Sequence, residues 1–297
     1  MKTVDVTTRI SIKNIAFATD LSPASYAALP FAAEFARYYG AKVWGFHVLS
    51  PYVYPVPPSL VLPTPEQDSQ EAAKQLGRQL EKHLAGVPQE VVIGHGETWS
   101  TLSALIEKNN IDLVVMSTHG RTGLGKALLE SVAETVFRQC PCPVLTVGPK
   151  AASRLDQPVE TKEILYATDF TPEARSAAAY AISIAQEHQA HLVLLHVIEP
   201  PKAGDLAHGR EFVSSTMQLL RDLVPPEAEL WCKPEHVVEY GPPADNILKV
   251  AERKRAHLIV LGVHKPEGSL GLATHFARAT AYKVVSQANC PVLTVRG

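Results

Sequence analysis

The feature that most constrains this chain is that it repeats itself. Ile15-Ala16-Phe17-Ala18-Thr19-Asp20-Leu21-Ser22-Pro23 returns 149 residues later as Ile164-Leu165-Tyr166-Ala167-Thr168-Asp169-Phe170-Thr171-Pro172. Phe46-His47-Val48-Leu49 returns at the same spacing as Leu195-His196-Val197-Ile198. Leu113-Val114-Val115-Met116 returns after 145 residues as Leu258-Ile259-Val260-Leu261, and Cys142-Pro143-Val144-Leu145-Thr146-Val147 returns after 148 as Cys290-Pro291-Val292-Leu293-Thr294-Val295. Four blocks in one order at nearly constant spacing point to a duplicated domain, because solenoid units are much shorter. A length of 297 residues suits two domains of ordinary size. The expected domains are residues 1–149 and 160–297, with the polar, proline-containing stretch 150–159 as linker.

Each repeat reads as strands alternating with helices. In the first, a short apolar strand (15–18) ends in Thr-Asp. Ser22 then offers a capping hydroxyl and Pro23 occupies the first helical position. One helix is predicted through Tyr26, Leu29, Phe31, Phe35 and Tyr38, closed by Gly40 in the left-handed conformation. Further strands are predicted at 43–49, 90–93, 113–116 and 144–147, with helices at about 66–84, 100–109 and 124–140. Thr171 and Pro172 start the matching helix of the second repeat. Apolar strands alternating with helices imply a doubly wound parallel sheet covered on both faces. Residues 51–65 hold six prolines and read as a stiff extended connection, with a lid carrying Tyr52 and Tyr54 as the sharper alternative.

Composition excludes several partners. A net charge of −2 leaves no basic footprint, which argues against nucleic acid or an anionic membrane surface. No apolar run has the length of a membrane helix, and the first residues lack a signal-like apolar stretch, so a cytoplasmic location is expected. Four cysteines are too few for a disulfide framework. Cys140-Pro141-Cys142 is a CxC and reads first as packed apolar thiols at a strand start, with a redox or metal role as the lesser alternative.

Ligands of doubly wound sheets bind beyond the carboxyl ends of the strands, where strand order reverses. Asp20, His47-Val48 and Ser117-Thr118-His119-Gly120 all fall at such ends in the first repeat. Asp20 can accept from an amino group or a ribose hydroxyl, or it can simply cap the following helix. The loop from Gly120 through Arg121, Gly123 and Gly125 to Lys126 combines glycines with two cations before a helix and can cradle phosphate with backbone N–H groups. It is not a Walker A loop, and such a loop alone is a weak signal. His47 and His119 read as locally hydrogen-bonded residues, and no triad or metal-site spacing is present in the sequence.

Ala-Thr-Asp with a Ser/Thr-Pro helix start, His-Val, Met-Ser-Thr-His-Gly-Arg-Thr-Gly-Leu and Cys-Pro-Val-Leu-Thr-Val together resemble the universal stress protein family, across roughly residues 10–148 and 160–297. The resemblance implies two tandem domains, each a five-stranded parallel sheet in the order 3-2-1-4-5 with helices on both faces. It also implies an adenine nucleotide such as ATP or AMP, with or without magnesium. Asp20, Val48 and Met116 would surround adenine, Ser117 would lie near ribose, and Gly120 and Ser131 would meet phosphate. ATP-binding members carry Gly-x-x-Gly, nine residues, then Gly-Ser or Gly-Thr. The matching positions here are Ser117, Gly120, Glu130 and Ser131. Glu130 in a glycine's place puts bulk and negative charge beside phosphate, where like charges about 4 Å apart cost a few kcal/mol. Lys126 and Arg121 can offset part of that.

The second repeat keeps Asp169 and Val197 and has Gly262 where the first has Ser117, but Lys265, Arg278 and Ala279 replace the rest of the motif. Asp169, Val197, Gly262 and Lys265 therefore form the weaker candidate site. Family members dimerise through the last strand, so 144–147 and 292–295 are expected to pair as a pseudo-dimer within the chain, with a homodimer through the last strands also expected. The implied function is a non-catalytic stress-response sensor or regulator. The alternatives are a nucleotide-independent interaction module and a slow ATPase.

Overall fold

The computed structural model describes residues 9–49, 64–118, 133–153, 161–199, 209–226, 234–263 and 272–296. The chain divides into two compact units, one of Ser11–Val144 and one that includes Leu145–Gly297.

The first unit contains β1 (Asn14–Ala18), α1 (Pro23–Tyr26), α2 (Leu29–Tyr39), β2 (Lys42–Leu49), α3 (Pro65–His83), β3 (Gln89–His95), α4 (Thr98–Asn109), β4 (Leu113–Ser117) and α5 (Glu134–Gln139), and reaches the start of β5 (Val144–Val147). Its strands pair in parallel in the order β3-β2-β1-β4. The Val114 N–H donates to the Pro143 carbonyl at 3.0 Å, which holds the segment before Val144 beside β4. Ile15, Phe17, Val43, Val114 and Val115 are fully or almost fully buried, as a sheet covered on both faces requires. β3 departs from this pattern. It pairs with β2 over its whole length but is mostly half-buried, so it is longer than the predicted 90–93 and is an edge strand.

Three further expectations need correction. The single predicted helix after β1 is two, with a turn at Ala27–Ala28 between α1 and α2. Pro30 is the physical reason. Inside a continuous helix it would lack the N–H owed to the Tyr26 carbonyl, and its ring would strike that carbonyl; at the second position of α2 it costs neither. Tyr38, counted on the apolar face, is 46% exposed. The helix predicted from residue 100 begins at Thr98, because the Glu97 side chain accepts from the N–H groups of Trp99 (2.9 Å) and Ser100 (2.6 Å) and so caps it two residues earlier. Gly40 does close α2 with φ +64 and donates its N–H to Ala36. Of the helix predicted at 124–140, 134–139 lies within the described residues. Apart from Thr64 and Pro65, the proline-rich segment lies outside them.

The second unit holds Leu145–Val147 of β5, α6 (Pro149–Ala152), β6 (Glu163–Ala167), α7 (Pro172–Glu187), β7 (His191–Ile198), α8 (Gly209–Arg221), β8 (Glu235–Tyr240), α9 (Pro243–Arg253), β9 (Leu258–Val263), α10 (Leu272–Gln287) and β10 (Val292–Arg296). Its strands pair in parallel as β8-β7-β6-β9-β10. Within this unit the Thr146 hydroxyl donates to the Val292 carbonyl at 3.1 Å. The helix that follows β6, α7, runs unbroken for 16 residues. Position 179, which matches Pro30, is an alanine. Among the described residues no helix is long and apolar enough to cross a membrane.

Candidate crevice at the strand ends

Parallel pairing aligns the carboxyl ends of three strands in the first unit. Ala18 is in register with Phe46 on one side and with Met116 on the other. Asp20 follows β1 by two residues, Val48 lies two beyond Phe46, and Ser117 is the residue after Met116. These three sequence-predicted residues, with Met116 itself, therefore meet at one end of the sheet. β1 lies between β2 and β4, so the order of strands reverses there. Met116 is 6% exposed and belongs to the core of the unit, with Val48 packed against that core half-buried. They supply apolar walls, and the loop of Asp20 supplies the polar group between them.

That loop is held by its own backbone and by three hydroxyls. Ser22 donates its N–H to Asp20 Oδ1 (2.9 Å), and Leu21 donates its N–H to Thr19 Oγ1 (3.0 Å). Ser22 caps α1 by accepting from the Ser25 N–H (3.1 Å). The Ser25 hydroxyl donates to the Ser22 carbonyl (2.9 Å), so at the 2.6 Å contact between Thr19 and Ser25 the threonine is the donor. The two readings of Asp20, ligand acceptor or local cap, are thus not exclusive: one oxygen fastens the loop and thereby aims the carboxylate. Leu21 sits at φ +64, a left-handed conformation costly for leucine, and Gln75 of α3 braces its carbonyl from below at 3.1 Å. His47 is buried and its Nδ1 lies 2.8 Å from the Thr19 carbonyl, which can only accept, so Nδ1 carries the proton. His47 is a brace for the same loop, as expected.

The second unit rebuilds this corner. Phe170 is at φ +63 with its N–H on Thr168 Oγ1 (3.0 Å), and Asp169 Oδ1 accepts from both the N–H (3.1 Å) and the hydroxyl (2.6 Å) of Thr171. His196 Nδ1 is 2.7 Å from the Thr168 carbonyl. Thr19 and Thr168, which tie these loops, were not singled out by sequence reasoning, although the recurrence of Thr before each Asp was their signal.

Gly262 has a different role from the one the motif suggests. A Cβ there would lie 2.5 Å from the backbone N and Cα of Ala174 and 2.6 Å from the carbonyl carbon of Glu173. The glycine lets the first turn of α7 lie directly on β9, and helix backbone takes the space a side chain would fill. Tyr166, fully buried below, donates its hydroxyl to the Ala174 carbonyl (2.5 Å) and fastens the same turn. Val197 stands at the end of β7 beside this corner. Gly120, Arg121, Lys126, Glu130 and Ser131 of the first site and Lys265 of the second lie outside the described residues, as do His119 and the side chains of Arg278 and Ala279. Among the described residues no group of three or more His, Cys, Asp or Glu is placed to hold a metal ion.

The sequence model described as the Universal stress protein family matches residues 11–148 and 160–296. A universal stress protein of Methanocaldococcus jannaschii is 34% identical over 140 residues, covering 46% of this chain and 81% of its own. A universal stress protein of Mycolicibacterium smegmatis is 26% identical over 294 residues, covering 93% of this chain and 95% of its own. Among solved structures, a universal stress protein from Archaeoglobus fulgidus superposes with a TM-score of 0.65 at 20% identity, covering 96% of this chain and 97% of that one. At that identity the likeness speaks for the fold.

Proposed function

For a chain that belongs to the universal stress protein family, we propose an adenine-nucleotide binding site in the crevice of the first unit and a non-catalytic role as a cytoplasmic sensor or regulator. The observation that carries this reading is the convergence of Asp20, Val48, Met116 and Ser117 at the point where strand order reverses. A carboxylate with a fixed direction between two apolar walls suits a planar base with an exocyclic amino group. The walls desolvate the ring, and the carboxylate accepts the amino hydrogen. Ser117, at the end of β4, would bond a ribose hydroxyl. Gly120 and Ser131 would receive the phosphates, with Arg121 and Lys126 as counter-charges. The second unit is proposed as a partner domain rather than a second site, because α7 backbone occupies the place beside Gly262.

The test is the nucleotide content of freshly purified protein released by heat, followed by titration of the emptied protein with ATP, ADP and AMP with and without magnesium. About one nucleotide per chain is expected. Asp20→Ala should weaken binding by roughly tenfold to a hundredfold, the worth of a hydrogen bond to a charged group. Absence of both carried and added nucleotide at millimolar concentration would overturn the reading and favour a nucleotide-independent interaction module.

A further inference from the structure

The first unit carries a pair of thiols that the crevice does not use. Cys140 caps the carboxyl end of α5, with its N–H on the Val136 carbonyl at 2.8 Å, and its side chain is 1% exposed in the core formed with Leu102, Val114, Val136 and Val144. Its φ of −59 and ψ of 126 turn the chain out of the helix into Pro141. The chain bends there and brings Cys142, half-exposed, back against Cys140, so that the two Sγ atoms are 3.4 Å apart. A disulfide bond is about 2.05 Å long, so closing it takes a movement of only about 1.4 Å shared between two side chains. No third His, Cys, Asp or Glu is placed to complete a metal site with them among the described residues. The second repeat is a built-in control. Cys290 matches Cys142 and is buried, but Ala288 stands where Cys140 would be.

We propose that Cys140 and Cys142 form an oxidation site at which hydrogen peroxide is reduced and the two thiols close to an intramolecular disulfide. Cys142 is the residue oxidised first because it is the one solvent reaches, and Cys140 is the resolving residue. The Cys142 thiol gives its proton to solvent and its sulfur attacks one peroxide oxygen. The O–O bond breaks, and the departing hydroxide takes up a proton to leave as water, with Cys142 as a sulfenic acid. The Cys140 sulfur then attacks the sulfenic sulfur, the S–O bond breaks, and the second hydroxide leaves as water with the Cys140 proton. Two thiols lose two electrons in all, and one peroxide becomes two waters. The hydrogen bond with Cys140 and burial both push the Cys142 thiol up from its ordinary range, so little thiolate is present and the attack on peroxide is slow. The product ties the end of α5 to the start of β5 through a three-residue ring.

The experiment uses the full reduced chain. It is exposed to hydrogen peroxide, quenched, alkylated after denaturation and digested for mass spectrometry. The expected result is a peptide spanning 140–142 that is lighter by two hydrogens and carries no alkyl group, restored by dithiothreitol, with Cys290 alkylated throughout. Free thiols should fall from the four of the reduced chain by two. In Cys140→Ser, Cys142 should be trapped by dimedone as the sulfenic acid, with no loss of two hydrogens. Recovery of both cysteines alkylated after peroxide would overturn the proposal, and so would Cys142 as sulfinic acid beside a free Cys140, or Cys142 joined to Cys232. Should the variant fail to fold, the wild-type peptide alone decides.

Discussion

At the corner that follows the first strand, the two repeats share a backbone and differ in what fills it. Both place an apolar residue in the left-handed conformation, Leu21 at φ +64 and Phe170 at φ +63, tied by the threonine two residues before it. Both aim an aspartate back at the next residue but one. Beyond that they diverge. The first repeat breaks its helix at Ala27–Ala28 and keeps a serine, with its Cβ, at the end of β4. The second runs one unbroken helix onto β9 over Gly262 and pins it with Tyr166. Phe17, the residue that matches Tyr166, has no hydroxyl, and Ser25 is tied to Thr19 instead. The same strained loop thus leads into a short helix beside a strand that ends in serine in one unit, and into helix backbone packed directly on a glycine in the other. A motif glycine can therefore reflect helix packing as readily as ligand approach.

The comparison can be broken by moving its causes from one repeat to the other. Ala179→Pro puts the proline of α2 into the middle of α7 and is expected to lower stability by about 3 kcal/mol or more, with loss of helical circular dichroism. A small effect would mean that Pro30 is not what splits the first helix. Gly262→Ser, which installs the Ser117 side chain, meets helix backbone and is expected to lower stability by about 1–3 kcal/mol in urea unfolding. The reciprocal Ser117→Gly should cost no more than about 1 kcal/mol. Tyr166→Phe removes one buried hydroxyl from a helix carbonyl and should cost about 1 kcal/mol.

The smallest effect concerns the fourth helix of the first repeat and its counterpart α9. Glu97 caps α4, and the N–H groups of Ser100 and Trp99 hold its carboxyl below the ordinary glutamate range, whereas α9 has Pro242 at its cap position and no side-chain cap. A depressed folded value means the cap contributes above the unfolded value and is lost as pH falls through the folded one. Trp99 fluorescence should therefore report a slight acid destabilisation of the first unit that Glu97→Gln removes.

Much of the fold was legible because its signals are local: the duplicated blocks, the Ser-Pro and Thr-Pro helix starts, Gly40, and runs such as Leu113–Met116 that suit only buried strands. Even the split of the first helix had a visible cause in Pro30, overridden in the reading by the apolar spacing around it. The convergence of Asp20, Val48 and Met116 followed from strand ends and topology. Gly262 was misleading because what it accommodates, the first turn of α7, is remote in sequence. The Thr19–Ser25 and Tyr166–Ala174 ties were hidden because threonine, serine and tyrosine carry no spacing rule that separates a tether from a surface residue.

The strained loop also has a use in protein engineering. Each copy closes its corner with hydrogen bonds from its own few residues and a histidine that both copies possess, and the first adds Gln75 and Ser25, which lie outside the exchanged residues. Residues 19–22 and 168–171 are therefore interchangeable cassettes: either tetrapeptide should graft into the other repeat, allowing a laboratory to vary the residue that fills the corner while leaving the direction of the aspartate unchanged.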